Sequence, residues 1–108
     1  MDPNLSVEFA GLRLRTPLIA ASGTFGYGME YVEVADYGAI GAIAVKGLYL
    51  DPRPGCPLPR IWETPSGMLN AIGLQEIGVH RFIAEKLPPL RQLGPAVLVN
   101  ICGSSLEE

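Results

Sequence analysis

The chain is poor in metal-binding and redox side chains, with a single histidine, His80, and two cysteines, Cys56 and Cys102. Neither cysteine has a histidine partner at metal-ligand spacing, and two thiols are too few for a disulfide framework. The reading is two reduced, unpaired thiols and no metal. Basic charge is also scarce: 8 Lys and Arg stand against 11 Asp and Glu, for a net charge of -3. A nucleic-acid surface needs a strongly basic patch, so the balance argues against nucleic acid as a partner. No apolar stretch approaches the roughly 20 residues that span a bilayer. Met1 to Glu8 carries two acids and no basic residue, unlike a signal peptide. No membrane association and a cytoplasmic location are the default expectations.

What the chain does contain is loop-forming residues and short apolar runs. The 13 glycines and 10 prolines exceed average usage without any period. Three apolar runs each stop at a polar residue: Leu18 to Ala21 at Ser22, Ala42 to Val45 at Lys46, and Ala96 to Val99 at Asn100. Runs of this kind suit strands of a parallel sheet buried on both faces. Ligands of such sheets bind beyond the carboxyl ends of the strands. Ser22, Lys46 and Asn100 are therefore expected along one edge, facing one ligand.

Between these runs the pattern predicts the connections. Leu5 to Phe9 and Leu12 to Leu14 alternate around Ala10-Gly11, which reads as an antiparallel hairpin. Ser22 to Gly28 reads as a Gly-rich loop. Met29 to Tyr37 reads as a helix, with Tyr31, Val34 and Ala35 on one face and Gly38 as its stop. Gly47 to Pro65 is a long proline-rich loop, a length that is often functional. Val79, Phe82, Ile83 and Leu87 share a helical face, so Gly78 to Leu87 is a second helix, ended by Pro88-Pro89. Ser104 to Glu107 has the form of a capping box that opens another helix. The order is βα, βα, β and the start of an α, which right-handed crossovers make parallel. The expected architecture is α/β: one partial domain over residues 1–108, the N-terminal portion of a (β/α)8 barrel with an N-terminal hairpin. A full barrel needs about 250 residues, so the chain is expected to be part of a longer protein.

Several residues could carry chemistry, each with a plainer alternative. Lys46 can hold an anion or stabilise developing negative charge; it can equally be a strand-end lysine reaching solvent. Ser22-Gly23 lets backbone N–H groups approach a ligand, or is an ordinary turn. Asn100 can donate and accept toward a heterocycle, or bond to local backbone. Asn70 to Leu74 combines an amide, a glycine and free N–H groups suited to a planar carbonyl-bearing ligand, or packs on its own Ile72 and Leu74. Cys56 has no visible base, Cys102 reads as a small residue after a strand, and His80 faces solvent in a first helical turn. Trp62 and Tyr49 are expected to pack the long loop.

Taken in order, Pro17-Leu-Ile-Ala-Ala-Ser-Gly23, Val45-Lys46-Gly47, Pro59-Arg60, Ser66-Gly-Met-Leu-Asn-Ala-Ile-Gly-Leu74, Val99-Asn100 and Gly103 resemble the first third of a dihydroorotate dehydrogenase. The stretch Gly67 to Leu74 is the most specific part. The pattern is more similar to the catalytic subunit of the NAD-linked, two-subunit bacterial class than to the fumarate-linked or membrane-bound quinone-linked classes. The resemblance implies a flavin mononucleotide (FMN) enzyme on a (β/α)8 barrel that oxidises dihydroorotate to orotate in pyrimidine biosynthesis. It implies flavin contacts from Ser22, Lys46, Gly47 and Asn100. It implies substrate contacts from Lys46, Asn70, Ala71, Ile72, Gly73 and Leu74. It also implies a hetero-oligomer with an electron-transfer subunit, whose iron–sulfur cluster and FAD pass electrons to NAD. The family's base is a cysteine on a later loop, and neither Cys56 nor Cys102 falls at its position. Position 47 is glycine where relatives often carry alanine or serine, and Gln75-Glu76 replaces a common polar pair.

Two other readings stay open: a flavin barrel with dihydropyrimidine- or dihydrouridine-type chemistry, and a non-catalytic module. Residues 1–108 alone are expected to show no dihydroorotate turnover and, with open apolar sheet edges, to aggregate or stay partly molten. A cooperative melt at monomeric hydrodynamic size would contradict the second expectation.

Overall fold

The computed structural model describes residues 4–108, so Met1 to Pro3, at the start of the acidic N-terminal segment, lie outside the described residues. A hairpin comes first: β1 (Val7–Phe9) pairs antiparallel with β2 (Leu12–Leu14), with Val7 opposite Leu14. Ala10 and Gly11 both take positive φ, the mirror-image turn whose twist matches that of paired strands. Leu14, 1% exposed, is the hairpin's anchor in the interior.

The three apolar runs form one parallel sheet in the order β3 (Ile19–Ala20), β4 (Ala42–Ala44), β7 (Ala96–Leu98). Ile43 lies beside Ala20 on one side and Val97 on the other. The central strand is the buried one: Ala42, Ile43 and the following Val45 are fully covered, whereas β3 and β7 are half-buried. Among the described residues the fold is therefore mixed α/β, with a parallel sheet and a hairpin. Among the described residues no helix is long and apolar enough to cross a membrane.

One helix covers the sheet, and it departs from expectation. Val79–Arg81 is α-helical (α2), Phe82–Lys86 widens into a π-helical turn, and Leu87–Gln92 is α-helical again (α3). Pro88-Pro89 therefore lies inside the helix and does not end it. A proline has no N–H to give and its ring strikes the carbonyl four residues back. The wide turn removes that conflict, because the Leu87 N–H reaches the Phe82 carbonyl five residues back. The same widening changes which residues face inward: Phe82 and Leu90 are buried at 1% and 0%, while Ile83, expected on the inner face, is 53% exposed. Phe82 and Leu90 pack with Ile43, Val45, Leu48, Ile40 and Tyr37 as the core.

The first connection also differs. Ser22–Phe25 is one turn of helix (α1), not loop. Met29 to Tyr37 contains only a turn, with the Val34 and Ala35 N–H groups both donating to the Tyr31 carbonyl. Its aromatic residues are used to fasten a loop. Tyr31 stacks on Phe25 at 4.9 Å and donates its hydroxyl to the Thr24 carbonyl. Tyr37 donates to the Gly28 carbonyl at 2.7 Å, and Glu30 accepts from the N–H groups of Tyr27 and Met29. Val34, expected on the buried face, is 82% exposed.

The proline-rich segment is partly ordered into strands. β5 (Ile61–Thr64) and β6 (Gly67–Asn70) form a second hairpin, with Trp62 opposite Leu69. Trp62 is 68% exposed there, whereas Tyr49 lies beneath the Arg53 guanidinium at 3.6 Å. Residues 104–108 are not helical: the Ser104 N–H donates to the Glu108 carboxylate within a bend.

The π-helical register makes a specific stability prediction for the intact gene product. Phe82→Ala is expected to lower unfolding free energy by about 3–5 kcal/mol, and the adjacent Ile83→Ala by no more than about 0.5 kcal/mol. Urea titrations followed by circular dichroism measure both, and equal losses would mean that the helix is in ordinary α register.

Candidate functional site at the carboxyl edge of the sheet

The buried strand β4 delivers Lys46 to the sheet edge. Val45 donates to the Leu98 carbonyl at 3.0 Å, which holds the chain in register until Lys46 leaves the interior. The pairing then resumes: Leu48 donates to the Asn100 carbonyl at 2.9 Å and Cys102 donates to the Leu48 carbonyl at 2.8 Å. Gly47 is thereby set against Asn100 and Cys102. Ser22 reaches the same edge as the first residue of α1, directly after β3.

Asn70 to Leu74 approaches from the second hairpin. Asn70 is the last residue of β6, and its neighbour Ala71 donates to the Arg60 carbonyl at 2.8 Å. The Ile72 carbonyl accepts from Cys56 at 2.9 Å. Gly73 has φ +75°, and a Cβ there would lie 2.6 Å from the Cys56 nitrogen, so only glycine fits. Leu74 also adopts positive φ, 57°, a conformation that costs a non-glycine residue about 1–2 kcal/mol. Strain of this kind persists where surrounding bonds over-determine the backbone.

Those bonds centre on Arg60, whose part in the site the residue pattern did not reveal. Its Nη2 donates to the Pro54 carbonyl at 2.6 Å, its Nε to the Cys56 carbonyl, and its Nη1 to the Gln75 side chain. Its own carbonyl holds Ala71. One planar guanidinium thus ties residues 54–56 to the far end of the 70–75 segment, a use that suits its rigid fork of donors. The available signal was Pro59-Arg60 itself, an arginine with a long stem in a proline-rich segment.

These elements enclose a cleft of about 450 Å³, within the range of small-molecule sites. All nine residues singled out in the sequence line it: Ser22, Lys46, Gly47 and Asn100 from the sheet edge, and Asn70, Ala71, Ile72, Gly73 and Leu74 from the loop. Tyr49, Gln75 and Cys102 complete the lining. Lys46 is its only charged residue, and among the described residues its ammonium has no salt-bridge partner. The cleft is thus a polar concavity with one cation and no acid, suited to a planar anion with hydrogen-bonding edges.

Lys46 also lines a second cavity, of about 580 Å³, with Tyr27, Arg53, Glu76 and Arg81. Glu76 is buried there; one carboxylate oxygen accepts from Gly78 at 2.6 Å, and the other has no partner among the described residues. Burial pushes the Tyr27 phenol above its ordinary 10.0; the hydrogen bond from Ile77 opposes this and the nearby Glu76 and Glu30 charges add to it. Tyr27 is therefore neutral at physiological pH. His80 is exposed and Cys56 braces Gly73 from outside the cleft lining.

The Arg60 contacts yield a test of loop order. In Arg60→Ala, amide hydrogen exchange over residues 71–75 is expected to accelerate by about tenfold or more, the consequence of losing charge-assisted hydrogen bonds. Exchange in β4 should stay as it was. Arg60→Lys should behave like the alanine variant, because a single ammonium cannot span three acceptors. Unchanged exchange over 71–75 would remove Arg60 from this role.

Comparison with known proteins gives the family of the chain. Residues 4–108 match the sequence profile of the family described as dihydroorotate dehydrogenase. A relative from Geotalea uraniireducens, named dihydroorotate dehydrogenase B (NAD(+)), catalytic subunit, is 58% identical over 106 residues, covering 98% of this chain and 35% of that protein. Proteins of the same name from Pelobacter propionicus and Thermoanaerobacter pseudethanolicus are 56% and 53% identical, over 100% and 97% of this chain and 36% and 35% of their own lengths. The chain thus spans about a third of the length of these curated relatives. With a profile match over nearly every residue and identities well above half, the chain belongs to the dihydroorotate dehydrogenase family.

Proposed function

We propose that this chain forms the first part of the flavin and substrate site of an enzyme that oxidises dihydroorotate to orotate in pyrimidine biosynthesis. The observation that carries the reading is the cleft at the sheet edge, whose only charge among the described residues is a lysine without a salt-bridge partner. Its parallel sheet β3-β4-β7 is read as the opening of a (β/α)8 barrel, with residues 1–108 as one partial domain. The donor set suits FMN. Ser22 and Asn100 offer a hydroxyl and an amide, Lys46 offers an ammonium, and Gly47 presents bare backbone on which a flat ring can rest.

When bound, FMN supplies the acceptor for the hydride that leaves the substrate carbon. The chain's own residues hold and polarise. The Lys46 ammonium would hold anionic groups of the flavin and of the substrate and would offset negative charge developing there. The Asn70 amide would donate and accept along the pyrimidine edge, and Ala71 to Leu74 would position the pyrimidine from a backbone tied to Arg60 at Ala71. No base is assigned within this chain; the proton removed beside the hydride goes to a group elsewhere in the intact protein. The relatives' name, a catalytic subunit of an NAD(+) type, supports a hetero-oligomer. Its second subunit would carry an iron–sulfur cluster and FAD that pass electrons to NAD. We place the activity in the cytoplasm, without nucleic acid or membrane.

The test uses the intact gene product with FMN. Orotate should perturb the flavin absorbance and compete with dihydroorotate, while uracil should do neither. Lys46→Ala should lower kcat/KM by about 10²–10³-fold, the scale of losing one charge-stabilising donor. Competition by uracil in place of orotate would favour dihydropyrimidine chemistry, and failure to bind FMN would end the proposal.

A further inference from the structure

We infer that Gly47 and Cys102 are a matched pair of positioning residues that set where the Asn100 amide stands in the cleft. A Cβ on Gly47 would lie 2.9 Å from the Cys102 sulfur and 3.2 Å from the Asn100 amide nitrogen. The first distance is inside van der Waals contact and the second is tight, so one of the two side chains must move if residue 47 gains a methyl group. The backbone cannot open to make room. Residues 45–48 and 98–102 are clamped at fixed spacing by the Val45 to Leu98 hydrogen bond before Gly47 and by the Leu48 to Asn100 and Cys102 to Leu48 hydrogen bonds after it. Gly47, Asn100 and Cys102 all line the cleft, so the open direction for a displaced thiol or amide is the cleft itself. The Cys102 sulfur and the Asn100 amide thus share the space that a side chain at 47 would claim. The thiol acts here by its size and takes no part in bond making.

The packing part of this inference stands on distances alone; the flavin part rests on the function proposed above. The experiment compares the intact gene product with Gly47→Ala, Cys102→Ala and the double variant. It reads FMN affinity, the visible absorbance of the bound flavin, and the melting temperature of the ligand-free protein. Gly47→Ala should weaken FMN binding by about tenfold and shift the flavin absorbance, the scale of overpacking a tight contact. Removing the sulfur in the double variant should restore affinity to within about threefold of the parent and recover its spectrum. Cys102→Ala alone should fold normally and bind FMN about threefold more weakly, because the space beside the Asn100 amide over Gly47 is left unfilled. If Gly47→Ala does not fold, recovery of a cooperative melt in the double variant carries the same information. If the parent binds no FMN, the proposed function fails, and the pair is then judged from the ligand-free melts. A double variant no better than Gly47→Ala in both affinity and melting temperature overturns the pair.

Discussion

Everything at the sheet edge depends on the burial of one short strand. β4 is paired on both sides, and Ala42, Ile43 and Val45 have no exposed surface. Its apolar neighbours Phe82 and Leu90 fix it against the covering helix, and its backbone bonds fix it against β3 and β7. A strand held in this way cannot slip, because a shift by one residue would turn Val45 outward and draw Lys46 into the core. The position of the only cation in the cleft is therefore a consequence of core packing. It needs no bond from the ammonium itself.

The second constraint is the loop that closes the cleft. Asn70 to Leu74 lie outside the core cluster; Ile72 and Leu74 are exposed, and Leu74 holds a strained backbone angle. Its order comes from a polar scaffold of Arg60, the 54–56 backbone and Gln75. The site thus joins two kinds of stability, a lysine placed by apolar packing and a loop placed by charge-assisted hydrogen bonds. They meet at Lys46 and Ile72, which face each other's element across both cavities.

Legibility in the sequence followed the physical origin of each feature. Ala42 to Val45 could be read because a fully buried strand is written as an unbroken apolar run, and its polar end marked Lys46. The first hairpin could be read from alternation around Ala10-Gly11. Met29 to Tyr37 misled because Tyr31, Val34 and Ala35 have helical spacing, while the tyrosines instead stack and donate to a neighbouring loop. The second hairpin left no periodic trace, since Ile61, Trp62, Met68 and Leu69 are all exposed. The rule that proline ends a helix failed at Pro88 because a π-helical turn absorbs the conflict, and no residue pattern in Phe82 to Lys86 announces one. The nine cleft residues could be named because each sits at a strand end or in a distinctive motif. Arg60 could not, because its role exists only once three separate segments are brought together.

The Arg60 scaffold bears on how quickly a ligand can enter. A loop that orders only around its ligand adds its lost conformational freedom to the free energy of association and slows capture. Here residues 71–75 are already tied down by backbone and guanidinium bonds, so that entropy is lost during folding. A ligand of the cleft would meet a preformed loop, and its encounter would be governed by diffusion and by the field of Lys46, with no wait for the loop to settle.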